Sequence, residues 1–445
     1  MSEAMFGTDA MWWRMDHPTN PMVVNAISYF DRPLDIDELK ATLSERLLTY
    51  PRFRQRVLPS KGTLARPHWE LDLSFDIDAH VLHIGTPGPT RAHLEDLIRQ
   101  LISAPLDPTK PLWSFTLIEG VGEGNALFTR IHHSLADGFS LLKVLISLAD
   151  EELVFPPGVA PVAIDDKERE AIDTIQDTLL SSTPDPRRLA KLAKSAGRVP
   201  SVATSLLTMP AEPHTRLRGD LGTQKLATWT QPFPLAAIKA IGQRFGGTLN
   251  DAILLILTGA MRRYLEHHDG DVGVDDVRII MPVNLFPLDT RTGDLGNGFG
   301  IVYLQLPVGE ADLARRAATL EERVAALKRS PEAYLTYGVL KAMGMSPPSA
   351  QAQVVRLLER KASAIVTNVP GPQEPVRFMG REMTHLTFWV PQSCDIGLGF
   401  SIFSYCGHVR VGITGDRGLM PDPGLWAALF EEEFTALAGE STKRP

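Results

Sequence analysis

The segment His132-His133-Ser134-Leu135-Ala136-Asp137-Gly138 sets two imidazoles ahead of an Asp-Gly pair. Imidazole titrates near neutral pH, so it can take a proton from a hydroxyl and later return it. An alcohol is a weak nucleophile until that proton leaves, whereas a thioester is already a reactive acyl donor. One placed base and one oxyanion donor therefore suffice for acyl transfer, with no covalent enzyme intermediate. The two histidines make a poor metal site. Neighbouring strand residues point to opposite faces, and no third ligand stands at helical or C-x-x-C spacing.

The segment follows a strand-like run, Ala126 to Ile131, and precedes an apolar helical run, Phe139 to Leu145. Strand alternation puts His133 on the face of Ile131, Thr129 and Leu127, and His132 on the face of Arg130. One histidine then works and the other supports it. Asp137 braces the turn, and Gly138 lets the backbone leave it. The bland alternative is a turn signal beside two satisfied polar residues at a sheet edge.

Alternating strand and helix signals surround this junction and argue for α/β layers. Val23 to Phe30 and Leu112 to Glu119 predict strands. Asp35 to Tyr50 and Arg91 to Leu101 predict helices, and His68 to Glu70 and Phe75 to His83 predict edge strands or loops. A stretch punctuated by Pro156-Pro157-Gly158 ends a first domain at 1–160. Residues 161–222 read as a helical linker, with a basic amphipathic stretch from Pro186 to Arg198 that fits either an anionic membrane surface or an ordinary solvated face. Residues 223–445 read as a second domain. Its strands are Gln224 to Trp229, Asp276 to Pro282 and Gly300 to Pro307, and its helices are Pro234 to Phe245 and a buried one through Ala252 to Met261. Residues 310–360 read as mostly helical, and Asp395 to Thr414 as a hairpin.

A 445-residue chain with 44% hydrophobic and 22% charged residues has the composition of a globular protein with a real core. Its net charge of −8 disfavours nucleic acid as a partner. Two cysteines, Cys394 and Cys406, exclude a disulfide scaffold and fit a reducing, cytoplasmic compartment. The opening residues carry no signal-peptide pattern, and no apolar run is long enough to span a bilayer. Trp12-Trp13 is either an interfacial anchor or part of a core or tunnel wall.

Four more segments extend the pattern in order: Pro111-Leu112-Trp113, Asn250-Asp251, Gly296-Asn297, and Asn368-Val369-Pro370-Gly371-Pro372. Together with HHxxxDG they resemble the bacterial wax ester synthase/diacylglycerol acyltransferase family, from near residue 7 to near residue 430. Ser404-Tyr405, Gly412, Asp416 and Pro421-Asp422 match the family's C-terminal pattern. HHxxxDG alone is shared across a wider superfamily of coenzyme-A- and carrier-dependent acyltransferases.

The resemblance implies an α/β fold of two chloramphenicol-acetyltransferase-like domains, each a mixed sheet flanked by helices, with an active-site tunnel between them. It assigns the base to His133. It implies a fatty acyl-CoA donor and a lipophilic alcohol acceptor, with no resident cofactor or metal and with a membrane or lipid-droplet surface as a candidate location. Pro111, Leu112, Trp113, Gly296, Asn297, Asn368 and Gly371 become candidate substrate contacts. Asn250 is either an oxyanion donor or, like Thr248, a helix cap. Alone, Asn368 to Pro372 reads as a turn. One departure stands out: Pro282-Val283-Asn284-Leu285-Phe286 lacks the arginine of the family's Pro-Val-Ser-x-Arg segment. Two other readings stay open, a condensation-type enzyme with carrier-bound donors and a non-catalytic lipid-binding protein.

Overall fold

The structure, a computed structural model, describes residues 2–59, 66–85, 90–136, 138–151, 166, 168–170, 172–174, 198–285, 299–346, 348–393 and 395–439. The basic stretch from Pro186 to Gly197 lies outside them, as do Asp137, Gly296, Asn297 and Cys394.

The histidine strand, Gly124–His132, is buried along its whole length and sits inside a mixed six-stranded sheet. It pairs antiparallel with Val23–Phe30 on one side and Trp113–Val121 on the other, and Val81–Ile84 closes that end in parallel. A strand buried on both faces needs apolar cover on both. Helix Arg91–Ser103 supplies Leu94, Ile98 and Ile102 against Ala126 and Phe128. Helices Ile36–Arg46 and Gly138–Ser147 supply Leu39, Leu43, Leu141 and Val144 against Leu127 and Ile131. Each of the first two helices starts at a side-chain cap: Asp35 accepts from the N–H groups of Asp37 and Glu38, and Thr90 from that of His93.

The second sheet runs Phe299–Leu306, Val277–Asn284, Ala364–Pro370, Leu398–Tyr405, His408–Asp416 and Lys225–Trp229, with Phe233–Pro234 also on His408–Asp416. Its central pairs are parallel and its outer pairs antiparallel, so it too is mixed. Helices Leu249–Asp269 and Pro423–Gly439 cover one face, where Ile256 and Leu257 join Phe400, Trp426 and Phe430 in the largest core. The outer hairpin turns through Cys406 and Gly407 at φ +46° and +74°, the paired left-handed conformations of a tight two-residue turn.

The edge strand Phe299–Leu306 is sealed by helix Glu332–Met345. Thr336 Oγ1 accepts from Ile301 N–H at 2.8 Å and donates to the Ile301 carbonyl at 2.7 Å. Glu332 Oε1 accepts from Tyr303 N–H at 2.8 Å. Gly300 permits this approach, because a Cβ there would stand 1.8 Å from the Ala333 carbonyl oxygen. Burial drives the Glu332 carboxyl up to about 7, against the lowering effect of that N–H.

Two arrangements differ from the sequence reading. Asn368, Val369 and Pro370 are not a turn: they finish the strand Ala364–Pro370, paired in parallel with Ile402, Phe403 and Ser404. Proline is tolerated there because it ends the strand. In addition, Arg377–Phe378 and Arg381–Trp389, from the second half of the chain, join the first sheet. Phe388 stands opposite Ala26 and Trp389 opposite Asn25. This crossing stitches the two halves together one strand away from the histidine strand, across Val23–Phe30. Among the described residues, no helix is long and apolar enough to cross a membrane.

Candidate active site

His132 is the last residue of its strand, and His133 is the first beyond it. Two backbone bonds hold the exit: His132 N–H donates to the Leu112 carbonyl at 3.0 Å, and His133 N–H to the Met22 carbonyl at 2.7 Å. Leu112 thus touches the motif through its backbone. Trp113 is buried behind it, donating from Nε1 to the Phe53 carbonyl at 2.9 Å and stacking on His80.

The two imidazoles have different surroundings. His132 is buried, and its Nδ1 accepts from Ser134 N–H at 3.1 Å, which leaves the proton of the neutral ring on Nε2. That nitrogen lies 3.6 Å from Asp16 Oδ1, too far for a hydrogen bond. Burial pushes the Asp16 carboxyl up, but His132 and the Met22 N–H outweigh it and hold the group below its ordinary value.

His133 lines a cavity. Its Nδ1 is buried without a partner, and its ring stacks on Trp12, with centroids 4.2 Å apart and planes at 29°. Phe299 stands 6.1 Å away on the opposite half of the molecule. The ring keeps some accessible surface where it faces the cavity, yet it is well desolvated. Burial lowers its pKa to about 4, His132 adds to the fall, and a backbone hydrogen bond opposes it. His133 is therefore neutral at pH 7 and able to accept a proton.

The cavity holds about 150 Å³, and its walls come from both sheets. Val24 and Ala26 come from the first sheet, Leu386 and Phe388 from the crossing strand, and Ile280, Phe299 and Thr367 from the second. Among the described lining residues, Trp12, His133, Tyr303, Thr367 and Ser393 bring the polar atoms, and the others are apolar. Such a space suits alkyl chains with one point of chemistry. Among the described residues, no three of His, Cys, Asp and Glu gather as a metal-holding group.

The remaining candidates lie around this cavity rather than in it. Asp251 closes a capping box with Thr248, accepting from its N–H at 2.7 Å, and also meets Lys328 at 3.3 Å. Asn250 Oδ1 accepts from Asn368 Nδ2 at 3.1 Å. Strand alternation explains that pairing: Thr367 and Val369 face the cavity, so Asn368 faces the helix. Gly371 follows that strand, donates to the Ser404 carbonyl at 2.9 Å, and has no room for a Cβ beside the Phe403 ring. Gly138 opens the helix after the motif. Pro282, in the segment that departs from the family pattern, lines the cavity, while Phe286 lies outside the described residues. Sequence reasoning missed Asp16, Phe299, Leu386 and Phe388, because nothing local marks them. Trp12 lines the cavity rather than serving as an exposed anchor.

Residues 5–253 match the family model for the wax ester synthase/diacylglycerol acyltransferase catalytic domain, and residues 295–438 match that for the WS/DGAT C-terminal domain. The chain is 28% identical to tgs2 of Mycobacterium tuberculosis over 94% of this chain and 95% of that one, and 24% identical to tgs1 over 95% and 92%. Both are named as probable diacylglycerol O-acyltransferases. Among solved structures, the wax ester synthase/diacylglycerol acyltransferase of Marinobacter aquaeolei VT8 superposes with a TM-score of 0.69 at 21% identity, over 98% of this chain and 100% of that one. The first condensation domain of the calcium-dependent antibiotic synthetase superposes with a TM-score of 0.62 at 16% identity, over 100% and 97%. These structural likenesses show the shared fold of two mixed-sheet domains. With both of its domain models matched in order, the chain belongs to the wax ester synthase/diacylglycerol acyltransferase family of acyltransferases.

Proposed function

We propose that this protein transfers a fatty acyl group from coenzyme A directly to the hydroxyl of a lipophilic alcohol or diacylglycerol, with His133 as the general base. One observation carries the reading: a neutral imidazole at the end of a rigid strand lines an apolar cavity built by both halves of the chain.

In the proposed step the hydroxyl oxygen attacks the thioester carbonyl carbon while His133 takes the hydroxyl proton. The tetrahedral intermediate collapses, the C–S bond breaks, and the departing thiolate recovers the proton from the imidazolium. The products are an ester and free coenzyme A. Apolar walls exclude water, which would otherwise compete with the alcohol. His132 and Asp137 support the base and its turn. The intermediate's oxyanion needs a donor, either the Asn250 amide or a backbone N–H beside the motif. Asn250 engages Asn368 and is not among the cavity residues, which favours the backbone donor. Pro111, Leu112 and Trp113 back the histidine strand, and Asn368 and Gly371 stand behind the cavity wall that Thr367 and Val369 supply. An acceptor such as diacylglycerol resides in lipid, so this reading includes peripheral contact with a lipid surface.

The test is free-thiol release from palmitoyl-CoA by the purified protein, with and without hexadecanol, dodecanol, phenylethanol or dioleoylglycerol. Acceptor-dependent release, absent from folded His133→Ala, supports the reading and names the preferred alcohol. Release from an acyl-carrier donor alone would favour a condensation-type enzyme. Acyl-chain binding without any release would favour a lipid-binding protein.

A further inference from the structure

We infer that a second apolar cavity, beyond a wall of Leu145, Leu386 and Phe403, receives the far end of a long alkyl chain whose reacting end lies at His133. The inference rests on the acyl-transfer reading and extends it to a site of its own.

The first cavity, at about 150 Å³, has the size of a hole that admits a small aromatic molecule. It cannot also house two long chains meeting at one histidine. A second cavity of about 60 Å³ begins where the first ends, and the two share Leu145, Leu386 and Phe403 as lining. Its other walls include Phe30, Phe115, Leu148 and Phe378, and among the described lining residues the polar side chains are Ser28 and Thr129. A space lined this way favours methylene groups over water.

The strand Val23–Phe30 gives the direction. Val24 and Ala26 line the first cavity, and Ser28 and Phe30 line the second, all on one face. The six-residue step from Val24 to Phe30 spans about 20 Å of extended strand, a distance on the scale of a long alkyl chain. The shared wall consists of side chains from three separate elements: the helix after the motif, the crossing strand, and the strand beside Ala364–Pro370. Rotamer changes of a leucine or phenylalanine would join the two spaces without moving backbone. Leu145 also ties the wall to the motif, because its helix begins at Gly138.

The chain could belong to the donor or the acceptor, and paired length series separate them. The first series compares kcat/KM for stearoyl-CoA and octanoyl-CoA with a fixed short alcohol. The second compares octadecanol and octanol with a fixed short donor. Ser28→Phe fills the second cavity, with Ala149→Leu as a second filling variant. Leu386→Ala opens the wall. Filling should lower the long-to-short ratio about tenfold or more in one series, and opening should raise it in the same series. The series that responds identifies the chain. Ratios that stay at the unmodified value in both series, for variants that melt as the unmodified protein does, would overturn the inference while leaving acyl transfer intact. If the unmodified protein releases no thiol with any pair, the acyl-transfer reading fails. The cavity is then read from the ratio of stearate to octanoate binding by tryptophan fluorescence, where equal ratios in all variants again overturn it.

Discussion

Trp12 stacks on His133, and the helix that carries it reaches the second histidine as well. Asp16, one residue past Gly7–Met15, lies 3.6 Å from His132 Nε2, and Met22 in the following loop accepts the His133 N–H. Arg14 on the same helix donates to Gln351 at 3.2 Å, which ties it to the second half of the chain. The N-terminal helix thus holds the His133 imidazole by ring contact, where a triad would use a carboxylate on the ring's second nitrogen. His133 Nδ1 has no such partner.

Loss of the base gives the first prediction. His133→Ala should lower kcat by about 10²–10⁴-fold in the thiol-release assay and leave the melting temperature near that of the unmodified protein. Activity retained in a folded His133→Ala protein removes His133 from the mechanism.

Trp12 tests orientation separately from proton transfer. With the stack removed in Trp12→Ala, the imidazole samples more rotamers, and kcat should fall about tenfold to a hundredfold with a smaller change in KM. Trp12→Phe, which restores a ring, should recover much of the loss. A merely structural role would instead appear as lowered melting temperature with kcat intact in the folded fraction.

The acid limb of the pH profile follows from burial. In the proposed step the neutral imidazole is the working form, and burial favours it, so protonation is delayed to about pH 4 against an ordinary value near 6.5. The kcat/KM should stay level from neutrality down to about pH 5 and fall below it, and a limb centred near 6.5 would contradict the buried base. The same shift affects folding. The unfolded ring takes up a proton below about 6.5 and the folded ring does not until about 4, so this contribution to stability is full above 6.5 and is lost as pH falls across that window.

Outside the cavity lining, Asp416 in the family's C-terminal pattern has a structural task. It meets Lys225 at 2.9 Å with both side chains buried, and it accepts from the N–H groups of Gly222 and Gly418. Burial lowers the Lys225 pKa, and Asp416 works against that fall. Asp416→Ala would strand a buried cation and should cost about 3–5 kcal/mol of stability in denaturant unfolding. The pair Lys225→Met with Asp416→Leu should recover most of the loss. Equal stability of Asp416→Ala and the unmodified protein would contradict this role.

Local signals in this chain were legible because local physics sets them. The strand run from Ala126 to Ile131, the helix that begins at Asp35, the apolar run inside Leu249–Asp269 and the final hairpin all appear where their residue patterns place them. The order of the five motif segments was equally readable, since it is a property of the chain itself. Asn368 to Pro370 misled, because Asn, Pro and Gly favour turns in isolation, whereas here the neighbouring strand supplies a hydrogen-bonding partner through Pro370.

The amino-acid sequence by itself determined most of the elements, their order, the family and the histidine pair on which the proposed chemistry rests. Only the tertiary structure decided what surrounds His133: Trp12 on its ring, Asp16 beside its neighbour, Leu386 and Phe388 in its cavity from a strand that crosses to the other sheet. The physical reason is range. Periodicity and capping act over a few residues, but strand pairing and cavity walls depend on which distant surfaces bury each other best. No spacing along the chain records that choice.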